Sequence, residues 1–142
     1  MIAPTFIATA SVIDALPLSN IQVATQDAHW ENEGAYTSNI SPASLKELGV
    51  KYVILGHSER RQYDNETDAR VNNKLKNVLK NGLKAIVCVG ETLQERESGK
   101  TEKVIDNQLK GCFESSGRAD LANIVSADEP VWAIGTGKNA TP

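Results

Sequence analysis

The sequence predicts an α/β fold in which parallel strands are joined by right-handed helical crossovers, forming one continuous unit over residues 1–142. Three observations predict it. Short β-branched apolar runs recur along the chain, and segments with a helical apolar stripe lie between them. Successive runs start about 30 to 40 residues apart, which is the length of a βα unit.

The elements come in order. Ile2-Ala3-Pro4 reads as the end of a strand that runs into a short helix before residue 19. Ile21–Gln26, Lys51–Gly56, Leu83–Gly90 and the weaker Asn123–Ala127 read as strands; the central ones are apolar at successive positions, as strands covered on both faces are. Between them, Ser41 is placed to cap a helix, Pro42 to open it and Gly49 to end it after Leu45 and Leu48. From Thr67, the positions Val71, Leu75, Val78 and Leu79 share one helical stripe, with Gly82 as its stop. Ile105, Leu109, Cys112 and Phe113 repeat the stripe before Gly117. No linker or low-complexity tract intervenes. The polar glycine loop at 135–142 ought to lead into another helix. A start inside a strand and a stop inside a loop suggest the middle section of a larger domain, truncated at both ends.

Composition narrows the function. Fifteen Lys and Arg against 18 Asp and Glu give a net charge of −3, without the clustered positive charge that sequence-independent nucleic-acid binding needs. With 40% hydrophobic and 23% charged residues the chain has enough apolar matter for a core. No window reaches the ~18 apolar residues of a membrane span, and the first nineteen residues lack the Lys or Arg of a secretion signal. Neither nucleic acid nor membrane is expected as a partner, and a cytoplasmic location is expected. Cys88 and Cys112 read as reduced structural thiols.

Four candidate places lie just after strands, at the edge where ligand sites of parallel sheets form. They are Gly56-His57-Ser58-Glu59-Arg60-Arg61, Gly90-Glu91-Thr92, Asp128-Glu129-Pro130-Val131-Trp132 and Ala133–Lys138. A lone histidine after a strand is more often structural than catalytic. Here His57 shares a rim with Glu129, two strands away. That pair suits proton abstraction beside a carbonyl, the carboxylate taking the proton and the imidazole polarising the oxygen. Arg60 and Arg61 read either as an ion-pair cluster or as an anion site. Gly135-x-Gly137-Lys138 is no phosphate-binding P-loop, because Trp132 stands at the first glycine and Asn139 at the Ser/Thr. There is no G-x-S-x-G elbow, and with only His29 and His57 a metal site is not expected. The sequons at Asn65 and Asn139 read as chance matches.

The segments GHSERR (56–61), IVCVGETLQERE (86–97) and EPVWAIGTGK (129–138), with NEGAYT (32–37) and NETDARVNNKL (65–75) in the right order, resemble triosephosphate isomerase. The resemblance runs over nearly the whole chain and implies the middle of a (β/α)₈ barrel, from the end of the second strand to the sixth-loop lid. It implies interconversion of dihydroxyacetone phosphate and glyceraldehyde 3-phosphate, in glycolysis and gluconeogenesis, with no cofactor and no metal. Glu129 would be the base and His57 the neutral electrophile. Ser58 and Glu59 would lie just behind them, Pro130–Lys138 would be the lid, and the Gly135 N–H would meet the substrate phosphate. Thr37 would sit on a loop that inserts into a second copy, making a homodimer. The family's lysine-bearing first strand and its later phosphate loops have no counterpart here. Asp27 replaces a usual Asn, Asp128 an aromatic, Asn139 a Thr, and Ser38-Asn39 a Gly-Glu whose carboxylate would pair with Arg60 across the dimer.

Two other readings remain open: a self-standing flavodoxin-like module, and a non-catalytic product that assembles with a full-length partner. Open sheet edges and apolar runs at 52–55 and 85–89 facing an unfilled interior predict self-association or partial order.

Overall fold

In the computed structural model, which describes residues 1–137 and 139, Ile2 bridges Val23 in parallel. A 3-10 turn at Phe6–Ala8 then leads into helix α1 (Thr9–Asp14). Lys138, at the end of the expected lid, and residues 140–142, with most of the Asn139 sequon, lie outside the described residues. Four strands come next: β1 (Ala24–Thr25), β2 (Tyr52–Leu55), β3 (Lys84–Val89) and β4 (Ile124–Asp128). All pair in parallel in the order β1-β2-β3-β4, the sequential arrangement a βα repeat produces. β1 is shorter than the expected Ile21–Gln26. The Ile21 N–H donates to Ser19 Oγ at 3.0 Å, a local turn that withdraws it from the ladder.

Helix α2 (Pro42–Leu48) forms where its punctuation predicts: Ser41 Oγ accepts the Ser44 N–H, and Gly49 turns left-handed at φ 102°. Helices α3 (Ser58–Tyr63) and α4 (Asp68–Lys80) come after β2, and the short α5 (Leu93–Glu97) and α6 (Thr101–Cys112) after β3. α3 and α5 are not anticipated from apolar periodicity, being too short to show a stripe. The expected stop at Gly117 is also displaced. Ser115, not the glycine, takes the left-handed turn at φ 64°, and the Gly117 N–H donates to Asp120 Oδ2 at 2.7 Å.

Strand alternation decides where the core sits. Val53 and Leu55 of β2 and Ala85 and Val87 of β3 are fully buried against Leu45 of α2 and Val71, Leu75 and Val78 of α4. Each large side chain withdrawn from water there contributes about 1.5–3 kcal/mol. The apolar runs at 52–55 and 85–89 are therefore not a single exposed face, as the sequence suggested. Half of each run lies under the helices, and on the opposite face Ile86 is only 8% and Cys88 5% exposed. Among the strands the exposed apolar side chain is on β4, where Val125 is 49% exposed, while Ile7 and Leu18 near the start of the chain are more exposed still.

Candidate active site

The site is built where β2, β3 and β4 end. Beyond β2, Gly56 turns at φ 71° in a crowded corner: a Cβ there would meet Arg61 Nη2 and Val71 Cγ2 at 3.1 Å and the Cys88 carbonyl at 3.2 Å. His57 then caps α3, its Nδ1 accepting the Glu59 N–H at 3.3 Å. With Nδ1 acting as an acceptor, the proton of the neutral ring belongs on Nε2. That nitrogen lies 2.8 Å from Glu129 Oε1.

Glu129 comes directly after β4, and its N–H donates to the Val89 carbonyl at 2.7 Å, extending the ladder by one residue. Gly90 makes the approach possible: a Cβ on Gly90 would lie 1.9 Å from the Glu129 carbonyl oxygen. The Glu129 carboxylate also accepts the Ser58 hydroxyl at 2.8 Å and the Ser58 N–H at 3.2 Å. His57, Ser58 and Glu129, expected from sequence at one rim, are thus brought into direct contact. Glu59 lies at the edge, its carboxylate 3.7 Å from Nδ1. Among the described residues no hydrogen bond ties Gly135 or Thr37 to this group. Asp128 is exposed.

Beneath it, burial first and then the Glu129 carboxylate push the Cys88 thiol up to about 12. Past Pro130 the chain is pinned to Glu91, whose side chain is 2% exposed. The Val131 N–H donates to the Glu91 carbonyl at 3.0 Å. The Trp132 indole N–H donates to Glu91 Oε1 at 2.9 Å, and Arg96, stacked 4.4 Å over the Trp132 ring, donates to the same oxygen at 3.2 Å. Burial raises the Glu91 carboxyl, but the Trp132, backbone and Arg96 donors outweigh it and hold it below the ordinary carboxylate value. Beyond, Gly135 and Gly137 both adopt left-handed φ, with open space where a Cβ would stand.

The two arginines are ion-paired. Arg61 reaches Asp68 at 2.6 Å, and Arg60 reaches Asp27 at 3.1 Å and Asp64 at 3.2 Å. Arg60 thus meets carboxylates of its own chain, while Asn39 stands where the resemblance puts the family's cross-dimer carboxylate. Lys74 and Glu66 form a further buried pair, and Lys74 Nζ also contacts Asp27 Oδ1 at 2.7 Å. Glu91 and Trp132 fall in the candidate places the sequence marked after β3 and β4, without a stated role, whereas Glu66, Lys74 and Arg96 were missed as site-supporting groups. Only Thr92 and Glu95, which form a reciprocal capping box, carried a local signal for α5 and hence for Arg96. A cleft of about 540 Å³ opens beside His57, reaching Asp27, Glu59, Arg60 and Tyr63.

Parallel strands in sequential order, with an imidazole and a carboxylate meeting at their C-terminal ends, are what part of a β/α barrel presents. The family model for triosephosphate isomerase matches residues 1–142. The chain is 51% identical over 141 residues to the triosephosphate isomerase of Thermoanaerobacter pseudethanolicus, covering 99% of itself and 57% of that protein. It is 52% identical over 141 residues to that of Chloroherpeton thalassium (99% of this chain, 56% of the relative). Against that of Alkaliphilus oremlandii it is 53% identical over 136 residues (96% and 55%). The chain belongs to the triosephosphate isomerase family. It spans a little over half the length of these relatives, and its four-stranded parallel sheet is consistent with part of the barrel.

Proposed function

We propose that this segment supplies the base and the electrophile of a triosephosphate isomerase, which interconverts dihydroxyacetone phosphate and glyceraldehyde 3-phosphate. One observation carries the reading: two groups 72 positions apart meet as Nε2 and Oε1 at 2.8 Å, on the rim where barrel sites form. Proton transfer next to a carbonyl needs a carboxylate at the carbon and a donor at the oxygen, and triosephosphate isomerase is the type case of that division. Glu129 takes the proton from one carbon and returns it to the neighbouring one. His57, protonated on Nε2, donates to the oxygen that becomes negative in the enediolate. To take a proton from carbon, Glu129 must exchange its contacts to His57 and Ser58 for one to the reacting atom.

Several finer roles belong to the same proposal. The Gly135 N–H contacts the substrate phosphate, residues from Pro130 onward close as a lid, and Glu59 supports His57 from the rim. Thr37 lies on the loop through which two copies pair, and the enzyme works in glycolysis in the cytoplasm. The left-handed Gly135 turn supports the phosphate role, since backbone can approach an anion closely there. The hydrogen bond of Trp132 to Glu91 supports the lid, giving its first residues a fixed anchor.

The test grafts residues 1–142 in place of the matching segment of a full-length relative. Glu129→Gln and His57→Gln are each expected to slow isomerisation by at least ~100-fold, the range of positioned acid–base groups. Near-unchanged turnover in either variant would remove that residue's role.

A further inference from the structure

We propose that Glu66, held by Lys74, is a positioning residue for His57, acting through the peptide units on either side of Gly56. The proposal rests on the isomerase reading for the meaning of His57, but not for the geometry itself.

The His57 ring is held at Nδ1 by the Glu59 N–H and at Nε2 by Glu129, and both contacts depend on the direction of the backbone that enters α3. That entry point is clamped from two sides. Glu66 Oε2 accepts the Gly56 N–H at 3.1 Å in a buried setting, and Arg61 Nε donates to the Gly56 carbonyl at 2.8 Å. Gly56 occupies a left-handed turn, where the chain is softest, so the two bonds fix what the residue alone leaves free. A charge-assisted bond to a backbone N–H is among the stronger kinds.

Glu66 is in turn held by more than packing. Its Oε1 contacts Lys74 Nζ, and the same ammonium reaches Asp27 at 2.7 and 2.9 Å. Arg60 closes the group from the cleft side, 3.1 Å from Asp27 and 3.6 Å from Glu66 Oε1. Both Glu66 and Lys74 are nearly inaccessible, with side chains 3% and 4% exposed. Two buried charges, each with more than one counter-charge, cannot drift without breaking several contacts. The chain of contacts runs from Lys74 through Glu66 and the Gly56 N–H to His57, one residue further on. The Gly56 N–H is buried and needs an acceptor, and Glu66 supplies it in the peptide next to His57.

The test uses the barrel that carries residues 1–142 in place of the matching segment of a full-length relative, with two readouts: amide exchange at Gly56, and the tautomer of the His57 ring seen by long-range ¹H–¹⁵N correlation. The wild-type chain should show a slowly exchanging Gly56 amide and a single Nε2–H tautomer. Glu66→Met keeps comparable bulk and leaves Lys74 paired with Asp27, but accepts no hydrogen bond. It should speed Gly56 exchange by roughly tenfold or more, as loss of a charge-assisted bond implies. His57 should become a mixture of tautomers, while the amides of Val71, Leu75 and Val87 keep their protection. The double variant Glu66→Gln with Lys74→Met restores an acceptor with no opposing ammonium, and should recover both signals.

Unchanged Gly56 exchange and tautomer in folded Glu66→Met would overturn the proposal. So would a folded double variant that fails to recover them, even if Glu66→Met itself does not fold. Unfolding of both would also overturn it, by assigning the cluster to the fold as a whole. Neither readout needs turnover, so failure here leaves the isomerase reading standing, and failure of the graft assay leaves these signals unmoved.

Discussion

At the Glu129 carboxylate, three donors converge: the Ser58 hydroxyl, the Ser58 N–H and His57 Nε2. These donors fix the carboxylate at the rim while the Cys88 thiol lies behind it, 5% exposed. Neither cysteine is a nucleophile in this setting. Burial and then Glu129 push Cys88 up to about 12, and burial, against the opposing Arg61, pushes Cys112 up to about 11, from an ordinary 9.0. Both thiols therefore bind their protons more tightly folded than unfolded. The stabilisation is complete below pH 9 and is lost as pH rises from there through the folded values. Two outcomes are expected. Iodoacetamide at pH 8 should leave both thiols unmodified in the native chain and alkylate both in urea, as peptide mass spectrometry will report. Urea midpoints should fall on raising the pH beyond 9; flat midpoints with rapid native alkylation would contradict the burial assigned to these side chains.

The elements differ in how far the sequence discloses them. α2 was legible because Ser41, Pro42 and Gly49 each act on their own neighbours, and caps are local chemistry. α4 was legible from its stripe, since Val71, Leu75 and Val78 meet one wall of the core. α3 was not, although it carries the rim: six residues are too few for periodicity, and its cap is His57, which is not a usual capping residue. The end of α6 misled because a glycine was present, while the chain turned earlier at Ser115. The junction of β3 and β4 yields a sharper expectation. Gly90 lets the Glu129 backbone pass at a distance no side chain allows, so Gly90→Ala should displace Glu129 rather than merely loosen the strand. In the grafted barrel its turnover should fall toward that of Glu129→Gln while the far-ultraviolet circular dichroism is kept. A variant with normal turnover would show that the close approach is dispensable.

Across the whole molecule, the sheet is covered on the helix side by a continuous core and brings His57, Ser58 and Glu129 together at one end. The parallel α/β class and the His57–Glu129 pairing were readable because both depend on the residues just past each strand, a feature of chain order. The ion cluster was not readable. Asp27 and Lys74 are 47 positions apart, and nothing local in either marks the other as its partner. Asp27 illustrates the cost of that arrangement: burial raises its carboxyl above the ordinary value even though Lys74 draws it down. The flavodoxin-like alternative falls with the strand order. A doubly wound sheet reverses direction at a switch point, whereas these strands run β1-β2-β3-β4 without reversal.

The most direct measurement tracks hydrogen on the substrate. Dihydroxyacetone phosphate is supplied in D₂O to the grafted barrel carrying residues 1–142, and the product and recovered substrate are read by proton NMR. A carboxylate that removes a proton from carbon exchanges it with solvent, so deuterium should appear at the carbons flanking the reaction, and Glu129→Gln should slow its entry by at least ~100-fold. Isomerisation with no deuterium at carbon, or deuterium entry undiminished in Glu129→Gln, would contradict proton transfer by this rim.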